Sequence, residues 1–367
     1  MSSSIILIGV GGAGCQMARG VNRAYGPGLR FLSVDTDALT GNAGGDFALL
    51  GGDRLSGRGA GGDLVMGKVA AEDSVSQLDE HLEGVRMAVI VTGLGGGTGS
   101  GASLIILKHL AELGITTVIF ATTPFSFEGD ERMRNARSMQ SMLEENANAT
   151  FFMPLDKLIY GETNMERALA RAVDTIASGV TLFWRLLEKP GYIKFDAERL
   201  RRILNSAGRG RFVTVTAAGE NRIEKIIDEI KNSPILSVSS GQLRNVVIGI
   251  LAGDDLKLSE IGRLSDALRQ DFGALPTYEL ATVNDEDTFS GRLSVVTMLF
   301  ESQNELHEPG KTTAKSGKRG RSTNKAGKEL LGWGADFGRF TNSEPTIHNG
   351  ENLDIPTFVR QKISLEI

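Results

Sequence analysis

Residues 93–101 read Gly-Leu-Gly-Gly-Gly-Thr-Gly-Ser-Gly and lie between an apolar run at 87–91 and an apolar helical pattern at 102–113. A strand that passes through glycines into a helix leaves several backbone N–H groups facing one concavity, where the helix dipole also favours an anion. Glycine lets the backbone approach a ligand closely, and Thr98 and Ser100 add short hydroxyl donors. The pattern therefore predicts a phosphate-binding loop. The alternative, a glycine-rich surface loop, seldom lies between a buried strand and a buried helix.

A second glycine loop opens the chain. The strand pattern at 5–8 leads directly into Gly-Val-Gly-Gly-Ala-Gly at 9–14, which fits the G-x-G-x-x-G dinucleotide fingerprint. A further strand pattern at 31–34 ends on Asp35, at the distance expected of a ribose-binding acid. These features alone predict a Rossmann NAD-dependent oxidoreductase, which remains an alternative. That alternative leaves the loop at 93–101 unexplained, and two phosphate loops on one sheet favour a nucleoside triphosphate.

More glycine-rich loops follow along the chain. Residues 55–67 lie between a short strand pattern at 47–50 and a helix that begins near Val65. The end of this segment has the spacing of a Walker A loop, but Val69 stands where a magnesium-binding hydroxyl is needed, and no strand precedes it. A strand at 117–121 leads into one more loop. Loops that follow parallel strands share one edge of the sheet, so the sequence predicts an α/β protein whose nucleotide site is assembled there.

Composition limits the class of protein and its surroundings. The 367 residues predict two domains plus a tail, and the net charge of −5 argues against nucleic acid as the main partner. The single cysteine, Cys15, excludes an internal disulfide framework and fits a reducing cytoplasm. No apolar run approaches the length of a membrane span, so we expect membrane contact only through a partner. The four histidines show no metal-ligand spacing, and we expect no metal held by side chains.

Blocks along the chain resemble, in order, the signature segments of FtsZ, the bacterial relative of tubulin. The blocks in the nucleotide loops are Gly-Val-Gly-Gly-Ala-Gly at 9–14, Val-Asp-Thr-Asp-Ala at 34–38, Gly-Ala-Gly at 59–61, Gly-Gly-Gly-Thr-Gly-Ser-Gly at 95–101 and Pro-Phe-Ser-Phe-Glu-Gly-Asp-Glu-Arg-Met at 124–133. The later blocks are Pro-Leu-Asp-Lys-Leu at 154–158, Gly-Glu-Asn-Arg at 219–222, Asn-Ser-Pro-Ile-Leu at 232–236 and Leu-Ala-Gly-Asp-Asp-Leu-Lys-Leu at 251–258. The resemblance covers about residues 4–300, and a divergent FtsZ-like paralogue also fits it.

The resemblance implies the tubulin/FtsZ fold. In this α/β fold we expect a Rossmann-like GTP-binding domain with a parallel sheet at 1–163, a long central helix at 164–189, a smaller α/β domain at 190–300, a flexible linker at 301–351 and a disordered partner-binding peptide at 352–367. The central helix has independent support, because seven apolar residues recur at spacings of three and four: Met165, Leu169, Ala172, Ile176, Val180, Phe183 and Leu187. Beyond it, strands are predicted at 212–217, 246–251, 277–283 and 293–300, and helices at 222–231 and 258–269.

The resemblance also implies which residues bind the nucleotide. They are Gly11, Gly12, Ala13, Gly14, Gln16, Asp35, Gly61, Gly95, Gly96, Gly97, Thr98, Gly99, Ser100, Glu128, Arg132 and Val173. The implied ligand is GTP or GDP, with Mg²⁺ bound through the GTP phosphates. For Glu128 the alternative is a helix acid favoured by the dipole, and for Arg132 a solvated helix charge.

Three positions in the part of the site that would bind the guanine base depart from the pattern of the family. Leu169 stands for the phenylalanine that stacks on guanine, and Val173 for the Asn or Asp that reads the base. Gln16 replaces an asparagine in the first loop. An unpaired base edge in a closed site costs about 1–3 kcal/mol, so we expect weaker selectivity for guanine.

In proteins like FtsZ, a loop after the central helix of one subunit completes the nucleotide site of the next with carboxylates, which polarise the attacking water. Asp196 matches the first acid and Arg199 stands in the slot of the second, while Lys194 replaces an asparagine. Glu198 lies one residue early and on a helix would point about 100° away. We predict Asp196 and Glu198 as the catalytic acids of a polymerisation-dependent GTPase. The alternatives are a filament scaffold with slow hydrolysis and, for Asp196, a helix N-cap.

The sequence after residue 301 predicts how the protein is localised in the cell. Residues 311–328 contain seven basic and no acidic side chains, which is typical of a solvated tether. Beyond it, four apolar residues resemble the peptide by which FtsZ docks onto membrane anchors and regulators: Leu353, Ile355, Phe358 and Val359. The resemblance thus implies a cytoplasmic homopolymer, recruited through adaptors to the division site or the inner membrane face. Its task would be cell division or a related cytoskeletal role.

Overall fold

The structure is a computed structural model. It describes residues 4–26, 28–158, 164–189, 191–194, 197–205, 208–233, 235–236, 243–272, 277–301, 347–348 and 351–352. The chain forms two compact units, at 1–307 and 308–367. Among the described residues, no helix is both long enough and apolar enough to span a bilayer.

Ten strands of the first unit form one mixed sheet. They are β1 (Ile5–Val10), β2 (Phe31–Asp35), β3 (Asp46–Leu49), β4 (Met87–Gly93), β5 (Thr116–Thr123), β6 (Ala149–Pro154), β7 (Gly208–Ala218), β8 (Leu243–Ala252), β9 (Thr277–Asn284) and β10 (Arg292–Glu301). Their order across the sheet is β3-β2-β1-β4-β5-β6-β7-β10-β8-β9. The pairs from β3 to β7 and the pair β8–β9 are parallel, whereas β10 runs antiparallel to β7 and β8. The predicted α/β architecture is confirmed.

Helices connect most of these strands. They are α1 (Gly11–Tyr25), α2 (Gly52–Leu55), α3 (Leu64–Glu72), α4 (Asp79–Leu82), α5 (Ser103–Glu112), α6 (Asp130–Asn146), α7 (Leu155–Leu158), α8 (Met165–Glu188), α9 (Ala197–Asn205), α10 (Arg222–Lys231), α11 (Leu258–Phe272) and α12 (Glu286–Phe289). A π-helical turn at Thr98–Ala102 leads directly into α5. The glycine loop after β4 is therefore shorter than the sequence predicts, because its second half already belongs to a helix.

The central parallel strands β1, β4 and β5 are buried on both faces, which explains why they are apolar without a polar alternation. Along β1, Ile6 and Ile8 belong to the core on one face of the sheet, and Leu7 belongs to the core on the other. All three side chains are at most 1% exposed. The sheet is therefore a rigid base for the loops at its carboxyl edge.

The central helix α8 packs with its predicted apolar stripe inward. Ala172, Ile176, Val180 and Phe183 are buried and Leu187 is half-buried, while the side chains of Met165 and Leu169 lie outside the described residues. The centroid of the Phe183 ring lies 5.8 Å from that of Phe120 on β5 and 6.4 Å from that of Phe212 on β7. The helix thus contacts strands from both predicted domains. The domain bounds at 163 and 190 stay a prediction, since one sheet runs through both parts.

The Gly-Glu-Asn-Arg block at 219–222 ends in a buried ion-pair cluster. Arg222, which is 4% exposed, donates from Nε and Nη2 to the carboxylate of Glu260 at 2.8 and 2.9 Å. Its Nη1 donates to Asp255 Oδ2 at 2.6 Å. Burial is the largest single influence on Glu260 and opposes its ionisation. The hydrogen bonds from Arg222 and from the Lys257 amide, together with the charges of both residues, outweigh burial and hold the pKa of Glu260 below its usual range.

We expect the Glu260→Gln variant to lose about 3 kcal/mol of unfolding free energy at pH 7, because it leaves Arg222 with Asp255 as its one remaining carboxylate partner. The folded-state pKa of Glu260 lies below its ordinary value of 4.5, so the stabilisation is complete above pH 4.5 and lost as pH falls through the folded-state pKa. Denaturant unfolding from pH 7 downward should show the wild-type advantage shrinking below pH 4.5. An advantage independent of pH, or an equal loss in the control Glu229→Gln on the exposed face of α10, would contradict this account.

In the second unit, the structure describes one short antiparallel pair, β11 (Ile347–His348) with β12 (Glu351–Asn352). Glu301, the first residue of the predicted linker at 301–351, still belongs to β10. The rest of that linker and of the predicted peptide at 352–367 otherwise lies outside the described residues. So do all four apolar residues of that peptide, Leu353, Ile355, Phe358 and Val359. These predictions stay predictions.

Candidate nucleotide site

One cavity of about 240 Å³ lies where β1 and β4 end at the carboxyl edge of the sheet. Its lining comes from both predicted phosphate loops and from the segment after β5. The lining residues are Val10, Gly11, Gly12, Ala13, Gly93, Leu94, Gly96, Gly97, Thr98, Gly99, Thr122, Pro124, Glu128, Arg132 and Leu155. Helix α1 begins at this cavity, so its dipole favours a negative charge there.

Several glycines allow close backbone packing within the second loop, between α1 and β4, and between the two loops. A Cβ atom at Gly99 would lie 2.2 Å from the Gly93 carbonyl oxygen, and one at Gly14 would lie 2.4 Å from the Val91 carbonyl oxygen. Gly11 has a φ of +73°, and a Cβ there would lie 2.9 Å from the Gly99 amide nitrogen. These positions need glycine because backbone packs on backbone.

Gly12 and Gly96 differ from the other glycines. The nearest atom to a Cβ at Gly12 would be Asp35 Oδ2 at 3.9 Å, and a Cβ at Gly96 would have no heavy atom within 4 Å. Both residues line the cavity, so their missing side chains leave space for a ligand. The backbone at these two points can thus be approached closely, as a phosphate group requires.

The predicted hydroxyl donors are used in different ways. Thr98 lines the cavity, and its Oγ1 lies 2.6 Å from Oγ1 of Thr36. Ser100 is fully buried, and its Oγ accepts a hydrogen bond from the Gly95 amide at 2.8 Å. The Ser100 hydroxyl therefore closes the loop from within, whereas Thr98 faces the cavity.

Glu128 and Arg132 form a pair at the mouth of the cavity. Glu128 Oε1 accepts a hydrogen bond from the Phe125 amide at 2.9 Å, and its Oε2 accepts one from Arg132 Nη1 at 2.6 Å. The Arg132 side chain is 58% exposed. A bound phosphate could therefore contact the Arg132 guanidinium. The neighbouring Glu128 carboxylate already accepts a hydrogen bond at each of its two oxygens.

Other predicted residues lie beside the cavity or away from it. Asp35 is 4% exposed and accepts hydrogen bonds within its own loop, from the Thr36 amide at 2.8 Å and from Thr40 Oγ1 at 2.7 Å. Gly95 packs against Pro124, because a Cβ at Gly95 would lie 2.8 Å from Pro124 Cγ. Gly61 has a φ of +60° in the turn before α3 and does not line the cavity.

On the predicted base side, Gln16 is exposed on α1. Val173 on α8 is half-buried and faces α1, where a Cβ at Gly20 would lie 3.7 Å from Val173 Cγ1. Neither residue lines the cavity. Their roles as base contacts stay predictions.

The predicted catalytic acids lie beyond what the structure describes. Asp196 lies outside the described residues, and so does the side chain of Glu198, although its backbone begins α9. Arg199, which stands in the slot of the second acid, forms an ion pair with Glu279 of β9. Arg199 is thus held by its own chain.

Three hydroxyl residues at or near the strand ends, Thr36, Thr92 and Thr122, also belong to the site and are not among the residues predicted from the sequence. Thr92, near the end of β4, donates from Oγ1 to the Gly99 carbonyl at 2.8 Å and so fixes the second loop. Thr122 of β5 lines the cavity, and Thr36 contacts Thr98. The signal was present, because polar residues at the carboxyl ends of parallel strands are typical of a ligand site.

Cys15 lies fully buried directly after the first loop. Its Sγ donates to the Gly9 carbonyl at 3.2 Å, and burial, with a contribution from the charge of Asp35, raises the pKa of Cys15 to about 12. Thiol reagents need both the thiolate and access to it. We expect no reaction with a disulfide reagent in the folded protein at pH 8 and one rapid equivalent after unfolding in guanidinium. Rapid reaction of the native chain would contradict this placement.

Comparison with known proteins agrees with these features. Residues 4–160 match the family described as Tubulin/FtsZ family, GTPase domain. The chain is 32% identical over 289 residues to the cell division protein FtsZ of Pseudomonas aeruginosa, which covers 77% of this chain and 73% of that protein. The fold is similar to an empty FtsZ dimer from M. jannaschii, with a TM-score of 0.77 and 24% identity over 83% of this chain and 89% of that one. It is also similar to CetZ2 from Haloferax volcanii in a GTPγS-bound protofilament, with a TM-score of 0.70 and 22% identity over 82% and 94% of the two chains.

Proposed function

Because the chain belongs to the tubulin/FtsZ family of cytoskeletal GTPases and is FtsZ-like within it, we propose that it polymerises head to tail into filaments whose GTP is hydrolysed between neighbouring subunits. The observation that carries the proposal is the cavity at the carboxyl edge of the sheet. There the open backbone of Gly12 and Gly96 meets the N-terminus of α1. Such an arrangement suits the phosphates of a nucleoside triphosphate. The family match gives no support to the oxidoreductase alternative.

The charges at the cavity support hydrolysis in trans. Among the described residues that line the cavity, Glu128 is the one carboxylate, and both of its oxygens are engaged, by the Phe125 amide and by Arg132. An attacking water needs a carboxylate that can polarise it. That acid therefore has to come from elsewhere, and we propose Asp196 and Glu198 of the adjacent subunit. Mg²⁺, when bound, would neutralise phosphate charge, and we propose that it is held through the GTP phosphates.

A second candidate function is a filament scaffold that hydrolyses GTP slowly. The specific observation in its favour is Arg199, which occupies the slot of the second acid. This position therefore supplies no carboxylate, and Arg199 forms an ion pair with Glu279 of its own chain. In this case nucleotide binding would still drive assembly. The rate of turnover separates the two candidates.

We further propose cell division, or a related cytoskeletal role, as the task of the filament. The relative from Pseudomonas aeruginosa is named for cell division, and the CetZ2 neighbour forms a protofilament with GTPγS bound. Residues 353–359 would link the filament to adaptors in the cytoplasm, at the division site or the inner membrane face. These steps rest on the resemblance of the tail to FtsZ.

The experiment that tests the proposal is nucleotide-dependent sedimentation. We expect the purified chain to release a guanine nucleotide on denaturation, identified by its absorbance spectrum, and to sediment with GTP and Mg²⁺ but not with GDP. Release of a nicotinamide cofactor, or no difference in sedimentation between GTP and GDP, would contradict the proposal.

A further inference from the structure

A second cavity, of about 200 Å³, adjoins the nucleotide cavity, because consecutive residues of the chain line the one and the other. Along β5, Thr122 lines the nucleotide cavity and Thr123 lines the second one. At the end of β6, Pro154 lines the second cavity and the next residue, Leu155, lines the nucleotide cavity. Because successive residues of a strand point to opposite sides, the two cavities lie on either side of the same strand ends.

Four basic side chains line this second cavity: Arg137, Lys157, Arg209 and Arg211. Arg209 and Arg211 share one face of β7 because they are two residues apart. Gly210 between them faces the opposite side, where a Cβ would lie 2.6 Å from the Phe151 ring. The strand therefore directs two guanidinium groups into one small space.

The other wall comes from α6. Met133, Arg137 and Gln140 all line the cavity, and their spacing of four and three residues places them on one face of the helix. The guanidinium of Arg209 also stacks over the Phe152 ring, 5.6 Å from its centre, which fixes its position at the wall. The basic groups thus come from rigid elements.

Acidic side chains balance this charge only in part. Arg211 Nε lies 2.7 Å from Glu301 Oε1, but Arg209 Nη1 lies 3.7 Å from Glu144 Oε1, which is long for a hydrogen bond. Within the part of the chain that the structure describes, Arg137 makes no ion pair or hydrogen bond. Arg211 Nη1 also donates to the Ile235 carbonyl at 3.0 Å. The guanidinium groups of Arg137 and Arg209 are therefore the ones whose charge no carboxylate of the described residues holds by a hydrogen bond.

We propose that this cavity binds a small phosphate-type oxyanion, at a site separate from the nucleotide cavity. Arginine is the side chain whose planar fork matches phosphate oxygens in pairs, and here three of them converge from α6 and β7. A multivalent anion would complete the partners of Arg137 and Arg209. The anion would also lie against the ends of β5 and β6. The residues next to these ends in sequence line the nucleotide cavity.

The test uses pyrophosphate as the probe and the full chain saturated with GDP, so that the phosphate loops are filled. Isothermal titration should show one equivalent of pyrophosphate bound, with an affinity that falls as salt rises. The Arg137→Gln variant should bind about tenfold more weakly, because it loses a charge-assisted hydrogen bond. The matched control is Arg134→Gln, an exposed charge on the same helix that does not line the cavity, and it should bind like the wild type.

Two results would overturn the proposal. The first is no binding of pyrophosphate by the GDP-saturated wild type; binding that only the nucleotide-free chain shows would place the probe in the nucleotide cavity. The second is an equal loss in Arg137→Gln and Arg134→Gln, which would indicate a general charge effect. Thermal unfolding of both variants shows whether each is folded, and the exposure of both side chains predicts wild-type stability.

Discussion

Replacing Gly96 by Asp should weaken GTP binding at least about a hundredfold, because a carboxylate placed against phosphate costs several kcal/mol. A Cβ at this position meets no protein atom within 4 Å, so the side chain would enter the cavity without disturbing the fold. Gly96→Ala should have a smaller effect in the same direction, since it adds bulk without charge. Binding is measured by titration with a fluorescent GTP analogue, and folding by thermal unfolding.

Two control variants make this prediction specific. Gly262→Ala on α11 also adds a Cβ in open space, but away from the cavity, and should leave GTP affinity unchanged. Gly99→Ala should instead lower the unfolding temperature, because its Cβ would lie 2.2 Å from the Gly93 carbonyl oxygen. Unchanged GTP affinity in a folded Gly96→Asp variant would mean that phosphate does not bind at this loop.

Replacing Asp196 by Ala should lower the GTP hydrolysis rate about a hundredfold, the lower range of what a positioned general base contributes. GTP binding by the monomer should not change, because the cavity is built from residues 10–155. Filaments formed by this variant should persist longer, since their GTP is consumed slowly. Glu198→Ala should have a smaller effect if Asp196 is the main acid.

The matched control is Glu220→Ala, which removes an exposed carboxylate of the second predicted domain. It should hydrolyse GTP at the wild-type rate. If Asp196→Ala also hydrolyses at that rate, then Asp196 is not the acid that polarises the water, and the helix N-cap alternative gains support.

The sequence predicts that the glycine loops come together, because glycines that directly follow apolar strand patterns are typical of ligand-binding loops. The loops at 9–14 and 95–101 do meet at one cavity, as expected for neighbouring parallel strands β1 and β4. The apolar stripe of α8 also packs inward over the residues described. Both predictions rest on local periodicity and on the geometry of parallel sheets.

What the sequence could not give is the direction in which each loop residue points. Gly99 and Gly96 are equivalent as letters, yet the first packs against backbone and the second faces open space. The sequence predicts Ser100 as a ligand donor, whereas in the structure its hydroxyl oxygen accepts a hydrogen bond from the Gly95 amide. These differences depend on how two loops distant in sequence pack together.

The basic cavity was also beyond prediction from the sequence. Its cations come from positions 137, 157, 209 and 211, which no local pattern connects. They meet because β7 pairs with β6 and α6 packs beside these strands. Such clusters become visible only when the order of the strands is known.

The most direct test of the central claim is the rate of GTP hydrolysis per molecule, measured against protein concentration. A site completed between subunits predicts a rate near zero below a threshold concentration and a steep rise above it, in step with sedimentation. A rate per molecule that is the same at every concentration would contradict the claim, because it would show that a single subunit holds the complete site. A rate near zero throughout, although filaments sediment, would contradict it too and would favour the scaffold in which Arg199 has replaced the second acid.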